Sequence, residues 1–184
     1  MAALAAIFIV GCAGTEPAPS LPRDLMRDLS SARIQPAPTS EVARLGELAD
    51  GAGSTAALLL RSPARLTWSV RFREHAELDA SVALIAGAAS MPLHNPERPT
   101  YLAGVIVRIG ISDDRAYEEL WRLSLTAPGD RIAWQPVRLD LGSYSGWKWS
   151  LFYQPSRTTW NLIVAADPAP GGLVAWRTLR IQPR

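Results

Sequence analysis

Apolar and polar side chains alternate from Leu66 almost to the end of the chain, and no other feature constrains the fold as strongly. The clearest example is the segment 131–153, RIAWQPVRLDLGSYSGWKWSLFY, which reads as two strands joined by a Gly/Ser/Tyr turn. A period of two places one face of a strand in a core and the other in water. The apolar positions of this hairpin are Val137, Leu139, Leu141, Trp147, Trp149, Leu151 and Tyr153.

Seven further segments are predicted strands, which are bounded by turns rich in Pro, Gly and Asp. The segment 57–61 is a short apolar strand, and the same period recurs in 66–72, 78–84, 105–111, 121–125, 160–164 and a last strand that reaches Ile181. With the hairpin this gives about nine strands and no helix between them. Short strands without crossover helices form antiparallel sheets, and this many close into a sandwich or a barrel.

The pattern is different upstream of Ser54. Five prolines between Thr15 and Thr39 predict a semi-extended tether. Apolar residues at helical spacing predict two short helices, over 23–32 and 40–49. The sequence therefore predicts a tether with short helices over 12–53 and a β-sandwich domain over 54–184.

Charge and cysteine content exclude several classes of function. The 184 residues carry a net charge of +2, and the arginines are scattered, so no basic patch favours nucleic acid. The single cysteine, Cys12, excludes an internal disulfide and a cysteine-based zinc site. His75 and His94 share no metal-ligand spacing, so no cofactor is expected.

The first fourteen residues, MAALAAIFIVGCAG, contain an apolar run of signal-peptide length that is far below the roughly 20 residues of a membrane span. The run ends in Ile9-Val10-Gly11-Cys12, which resembles the lipobox of bacterial lipoproteins. The resemblance implies that residues 1–11 are removed, that Cys12 carries diacylglycerol, and that its amine is acylated, as with palmitate. Ala13 is not acidic, which in that family implies the outer membrane of a Gram-negative cell.

A second resemblance lies in the segment 134–146, WQPVRLDLGSYSG, which is followed by an apolar strand and by Trp176 shortly before Arg180-Ile181. It resembles galactose-binding-like jelly-roll domains, whose pattern is roughly W-x-x-V-x-V-D-L-S-x-Y-x-G. Over 54–184 the resemblance implies an antiparallel jelly-roll β-sandwich of about eight or nine strands. Because that fold carries sugar-binding modules, accessory domains of enzymes and adhesion domains, it leaves the function open.

The seven tryptophans are the candidates for ligand contact, since indole rings stack on sugars. Trp68, Trp121 and Trp149 share the phase of aliphatic neighbours and are predicted to lie in the core. Trp134 shares the phase of the polar Arg138, which predicts an outward side chain unless a bulge at Pro136 turns it inward. Trp147 and Trp160 lie at strand starts and Trp176 lies near a loop, where rings are often half exposed. The predicted ligand-binding residues are Trp134, Trp147, Trp160 and Trp176.

Glycoside hydrolysis would need two carboxylates that face each other across a cleft. The candidates are Asp79, Asp113, Asp114, Glu118, Glu119, Asp130, Asp140 and Asp167. Asp113 and Asp114 are weak calcium-ligand candidates, although a solvated acidic loop is the commoner meaning of such a pair. GSYSG lacks the central serine of a nucleophile elbow, so no catalytic residue is assigned.

These observations together favour a membrane-anchored envelope lipoprotein that acts as a non-catalytic binding module, with a glycan or an envelope protein as its partner. Two alternatives stay open at this point. One is a small jelly-roll hydrolase or lyase that acts on polysaccharide. The other is a purely structural envelope lipoprotein.

Overall fold

Strands make up nearly all of the regular structure in the computed structural model, which describes residues 22–36, 42–49, 53–85, 104–125, 132–145, 159–167 and 172–184. This part of the chain contains eleven strands and two short 3-10 turns. The strands are β1 Arg23–Asp24, β2 Arg33–Gln35, β3 Ala43–Ala49, β4 Ser54–Arg61, β5 Ala64–Val70, β6 Ala76–Leu84, β7 Val105–Ser112, β8 Tyr117–Leu125, β9 Gln135–Asp140, β10 Trp160–Asp167 and β11 Leu173–Pro183.

The strands form two sheets in which every pairing is antiparallel. The six-stranded sheet has the order β3-β4-β11-β6-β9, and β1 also pairs with β11. The five-stranded sheet has the order β2-β5-β10-β7-β8. The predicted antiparallel β-sandwich is therefore confirmed.

The main core consists of alternate residues from the two sheets. On β5, for example, Leu66 and Trp68 are fully buried whereas Arg65 and Ser69, on either side of them in the sequence, are exposed. Burial of each large side chain stabilises the fold by about 1.5–3 kcal/mol. The largest fully buried side chains are Trp68, Trp176, Leu25, Leu58, Leu60, Leu66, Leu78, Leu84, Ile109, Ile111, Leu141 and Leu162.

The two short helices predicted upstream of Ser54 are wrong. Ala43–Ala49 is strand β3, which pairs with β4 along its whole length. The other segment forms β1, a 3-10 turn at Leu29–Ser31 and β2, and Leu25 is fully buried. Backbone pairing with neighbouring strands outweighs a weak local helical spacing here.

The folded domain therefore begins upstream of the predicted boundary at Ser54. β1 pairs with β11, and β2 pairs with β5, so both contribute to the sheets. The indole Nε1 of Trp68 donates a hydrogen bond of 3.2 Å to the backbone oxygen of Asp28. This bond fixes the N-terminal segment against the core.

The first half of the predicted hairpin at 131–153 is confirmed as β9, which pairs with β6 at an edge of the described six-stranded sheet. The turn after it begins where Asp140 Oδ1 accepts a hydrogen bond of 2.8 Å from the amide of Gly142. The second half, from Trp147 to Tyr153, lies outside the described residues, as do residues 1–11 and Cys12. Within the described ranges, no helix has the length and apolar character to cross a membrane.

Candidate functional site on the five-stranded sheet

The prediction that Trp176 contacts a ligand is wrong. Its side chain is fully buried in the main core. In the register of the six-stranded sheet it lies between the inward-facing Leu58 and Val82. A register shift follows it, between Trp176 and Thr178, so the ring stays inside while Arg177 is exposed. Trp176 is a packing residue.

Trp134 lies on the outer side of the six-stranded sheet, as its phase predicts. Pro136 pairs with Ser81 without a register shift, so no bulge returns the ring to the main core. The half-buried ring packs on a small outer cluster formed by Ala57, Leu59 and Ala175. The guanidinium of Arg177 lies 4.9 Å from the ring centroid, a cation–π contact that covers part of the ring.

The other two predicted ligand tryptophans do not extend this surface. Trp160 is half-buried and meets Tyr144 edge to face, with the ring centroids 5.6 Å apart. It packs against the main core, not beside Trp134. Trp147 lies outside the described residues. The described tryptophans therefore do not form one exposed strip.

The carboxylates of Asp113, in the loop after β7, and of Glu118, on β8, accept hydrogen bonds from other groups of the chain. Asp113 Oδ1 accepts hydrogen bonds from the amides of Ala116 and Arg115, at 2.9 and 3.0 Å, and these bonds hold the pKa of Asp113 below its ordinary value. Glu118 accepts a hydrogen bond of 2.9 Å from the Tyr144 hydroxyl. Burial and this bond to Glu118 raise the pKa of Tyr144 above its ordinary value.

A metal centre finds no support in this loop. No group of three or more His, Cys, Asp or Glu side chains among the described residues could hold a metal ion. The described structure therefore adds no support to the prediction that Asp113 and Asp114 are calcium ligands.

The outer face of the five-stranded sheet carries an exposed aromatic ring, that of Tyr117 on β8. The side chain is 45% exposed and lies across Gly110 on the neighbouring strand β7. A Cβ atom at Gly110 would lie 2.6 Å from the backbone oxygen of Glu118 and would overlap the Tyr117 ring. Only glycine leaves room for the ring at this point of the sheet.

A β-bulge puts Tyr117 on this face. The register of β7 with β8 shifts between Ile109 and Gly110, where Ile109 faces Trp121 but Gly110 faces Glu119. Without the shift, the alternation that points Trp121 inward would also point Tyr117 inward. The extra residue, Leu120, reverses the phase, so Tyr117 and Glu119 face outward.

Buried residues, two of them small, form the floor beside this ring. Ile163 and Ala165 of β10 point outward yet are only 6% and 4% exposed, and Gly110 is also buried. The side chains around this floor are larger and polar. We call this surface the Tyr117 face; its members are Arg65, Thr67, Ser69, Arg108, Gly110, Tyr117, Glu119, Arg122, Asn161, Ile163 and Ala165.

Charged groups flank the Tyr117 phenol on one side. Arg108 Nε lies 3.6 Å from Glu119 Oε2. Burial and the negative charge of Glu119 raise the pKa of Tyr117 above its ordinary value, whereas the positive charges of Arg65 and Arg108 act in the opposite direction. The hydroxyl is therefore protonated at neutral pH and can donate a hydrogen bond.

Asn161, Ser69 and the carboxylate of Asp114 lie on the other side of the phenol. Asn161 Nδ2 donates a hydrogen bond of 2.5 Å to Asp114 Oδ1, and Ser69 Oγ donates one of 3.4 Å to Asn161 Oδ1. Asp114 has a positive φ of 71°, which turns the loop beside the sheet. These bonds hold the amide of Asn161 in a fixed orientation in the same row as Tyr117.

This arrangement can bind a flat, hydroxyl-rich molecule. An exposed aromatic face gives apolar contact with C–H groups, and fixed donors and acceptors on both sides can contact hydroxyl groups. The sequence did not identify Tyr117 as a site residue because a period of two assigns it to the core. The one available signal was Gly110, since a glycine inside a strand often marks a bulge or a close contact.

Neither the protein-family models nor the curated protein sequences contain a match to this chain. Among solved structures, the K1 cleaved adhesin domain of Lys-gingipain from Porphyromonas gingivalis W83 matches with a TM-score of 0.51 and 12% identity, over 84% of this chain and 92% of that one. The M60 catalytic domain with the CBM51-1 and CBM51-2 domains of ZmpB from Clostridium perfringens also matches with a TM-score of 0.51 and 12% identity, over 88% of this chain and 15% of that one.

A xylan-binding module, CBM15, matches with a TM-score of 0.46 and 14% identity, over 84% of this chain and 93% of that one. At these identities the likeness concerns the fold alone. The chain shares its β-sandwich fold with these structures.

Proposed function

We propose that this protein is a non-catalytic carbohydrate-binding module that a lipid on Cys12 holds at the cell envelope. The observation that carries the binding part is the Tyr117 ring, which lies exposed on the floor of a sheet face lined by polar side chains. An aromatic ring has an apolar face and, in tyrosine, a polar hydroxyl, so it can contact the C–H groups and a hydroxyl group of a sugar at once.

The Tyr117 face supports this function better than the Trp134 surface does. Arg177 already lies over the Trp134 ring, and the Trp134 Nε1 is buried without a hydrogen-bond partner in the described part of the chain. A ligand there would first have to displace a cation–π contact. The Tyr117 ring has glycine beneath it and is open to solvent above it.

Affinity electrophoresis of the purified chain against xylan, galactan, cellulose, polygalacturonate and peptidoglycan fragments tests the proposal. We expect at least one polysaccharide to retard the protein, and Tyr117→Ala to reduce its affinity at least tenfold. Leu45→Ala is the matched control, since Leu45 is 53% exposed on β3 of the other sheet. Trp134→Ala tests the alternative surface.

Loss of retardation in Trp134→Ala with full retardation in Tyr117→Ala would move the site to the six-stranded sheet. Absence of retardation by every polysaccharide would refute the binding function. Circular dichroism of each variant shows whether the sandwich is intact.

The lipid anchor needs a separate experiment because Cys12 lies outside the described residues. The proposal rests on the lipobox-like Ile9-Val10-Gly11-Cys12. We expect the chain to sediment with membranes of a Gram-negative host, and Cys12→Ser to abolish this. Mass spectrometry of the N-terminal peptide should find a diacylglyceryl group on Cys12, whereas a mature chain that begins at Met1 with a free thiol would contradict the anchor.

A further inference from the structure

Three arginines lie in one row across the Tyr117 face. In the register of the five-stranded sheet, Ala165 pairs with Arg65 on one side and with Arg108 on the other. Arg108 in turn pairs with Arg122 on β8. Adjacent strands are about 4.8 Å apart, so the Cα atoms of Arg65 and Arg108 are about 10 Å apart with only the small Ala165 between them.

This row breaks a rule of sheet stability. Like charges at directly opposite positions, as at Arg108 and Arg122, destabilise a sheet by up to about 1 kcal/mol. Glu119 offsets only Arg108, at 3.6 Å. In the described part of the chain, neither Arg65 nor Arg122 has a carboxylate at ion-pair distance.

The outer side of the five-stranded sheet has the same sign of charge as this row. Its strands carry four outward arginines against two outward carboxylates, Glu119 and Asp167, which both lie near enough to affect the Tyr117 phenol. A third carboxylate, that of Asp114, lies in the loop beside the sheet and accepts a hydrogen bond from Asn161. The fourth arginine, Arg33, lies opposite Thr67 on β2. The Nε of Arg108 is buried and has no hydrogen-bond partner among the described residues.

We infer that the Tyr117 face binds a glycan that carries carboxylate groups, with a uronic acid ring on Tyr117 and its carboxylate between Arg65 and Arg108. The inference rests on the proposed function and names its ligand class. Planar guanidinium groups pair with carboxylates through two parallel hydrogen bonds, which makes arginine suited to this contact. Ala165 is the residue that separates the two arginines in the row, and its side chain is small.

Charge balance on this face favours an acidic ligand over a neutral one. A neutral glycan would leave the repulsion between Arg108 and Arg122 in place. A carboxylate bound in the row would relieve that repulsion and would satisfy Arg65. Neighbouring like charges that lower the stability of the sheet, with no contact that compensates for them, are expected at functional sites.

Isothermal titration of the purified full chain with oligogalacturonate, and with its methyl ester as a neutral counterpart, tests the inference. We expect the ester to bind at least tenfold more weakly than the acid. Arg65→Gln should weaken binding of the acid at least tenfold and leave binding of the ester within twofold. Arg44→Gln is the matched control, because Arg44 is an exposed arginine on β3 that has no ion pair among the described residues.

Other outcomes separate this inference from the proposed function. If a neutral glycan binds as tightly as the acid, and Tyr117→Ala abolishes both, the binding function stands and the acidic specificity is refuted. If dextran sulfate binds as tightly as oligogalacturonate and Arg65→Gln weakens both equally, the assignment to carboxylates is refuted. If no glycan binds in a Tyr117-dependent way, the proposed function fails and the inference fails with it.

Discussion

At the scale of single residues, the tryptophans show what alternation can and cannot decide. The phase of Trp68 predicts burial, and its side chain is fully buried. The position of Trp176 near a loop predicts partial exposure, yet it is also fully buried because the local register points it between the sheets. Proximity to a loop is therefore weaker evidence of exposure than the phase of the strand.

Trp176→Ala and Trp134→Ala are expected to differ in their effect on stability. Removal of a fully buried tryptophan from a packed core costs about 3–5 kcal/mol in the free energy of unfolding. Trp134 is half-buried outside the main core, so its loss should cost less, mainly the contact with Arg177 of about 0.5–1 kcal/mol and part of its burial. Urea denaturation of both variants measures the difference. Equal losses would show that the two tryptophans are equally important to packing.

At the scale of secondary-structure elements, the sequence predicts the strands well and their partners poorly. β5, β6, β7 and β10 are each predicted from side chains that repeat with a period of two, because one face of each strand lies in the core and the other faces outward. β3 does not show such a run, since the spacing of Leu45 and Leu48 is also compatible with a helix. In the described sheet, β3 is an edge strand that pairs with β4 alone. Long-range pairing of this kind leaves no signal in the local sequence.

The bulge in β8 is the second feature that alternation could not reveal. Leu120 adds one residue between Trp121, which faces inward, and Glu119, which faces outward. A strict period of two across this strand gives the wrong side for Tyr117. The candidate site was missed for this reason, and not because its residue types are unusual.

Gly110→Ala is expected to disrupt this element. The added methyl group would meet the backbone oxygen of Glu118 at 2.6 Å as well as the Tyr117 ring, and backbone cannot move as a flexible side chain can. Overpacking of this kind costs about 1–3 kcal/mol, and displacement of the ring should also abolish glycan binding. Thermal unfolding and affinity electrophoresis measure the two effects.

Gly46→Ala is the matched control on β3. There the added methyl group would meet the Cδ1 atom of Leu59 at 3.0 Å, and this is the end of a flexible side chain. We expect stability to change by less than about 1 kcal/mol, since alanine is favoured over glycine in a strand. Equal destabilisation by both substitutions would contradict the role assigned to Gly110.

At the scale of the whole molecule, the two sheets present different outer faces. The six-stranded sheet carries a small apolar cluster that Trp134 and Arg177 cover. The five-stranded sheet carries an exposed tyrosine, a floor of buried residues and an excess of arginine. The sequence predicts a sandwich with polar outer faces, but the difference between those faces arises from strand order, which brings β5, β10, β7 and β8 side by side.

The central claim is that the Tyr117 face is the ligand surface of this sandwich. Chemical-shift mapping of the isotope-labelled chain during titration with oligogalacturonate tests it most directly. We predict that the amide signals that move belong to residues 108–119 on β7 and β8 and to 161–165 on β10, while those around Trp134 and Arg177 stay in place. Shifts confined to the six-stranded sheet, or no shifts on either sheet, would contradict the account.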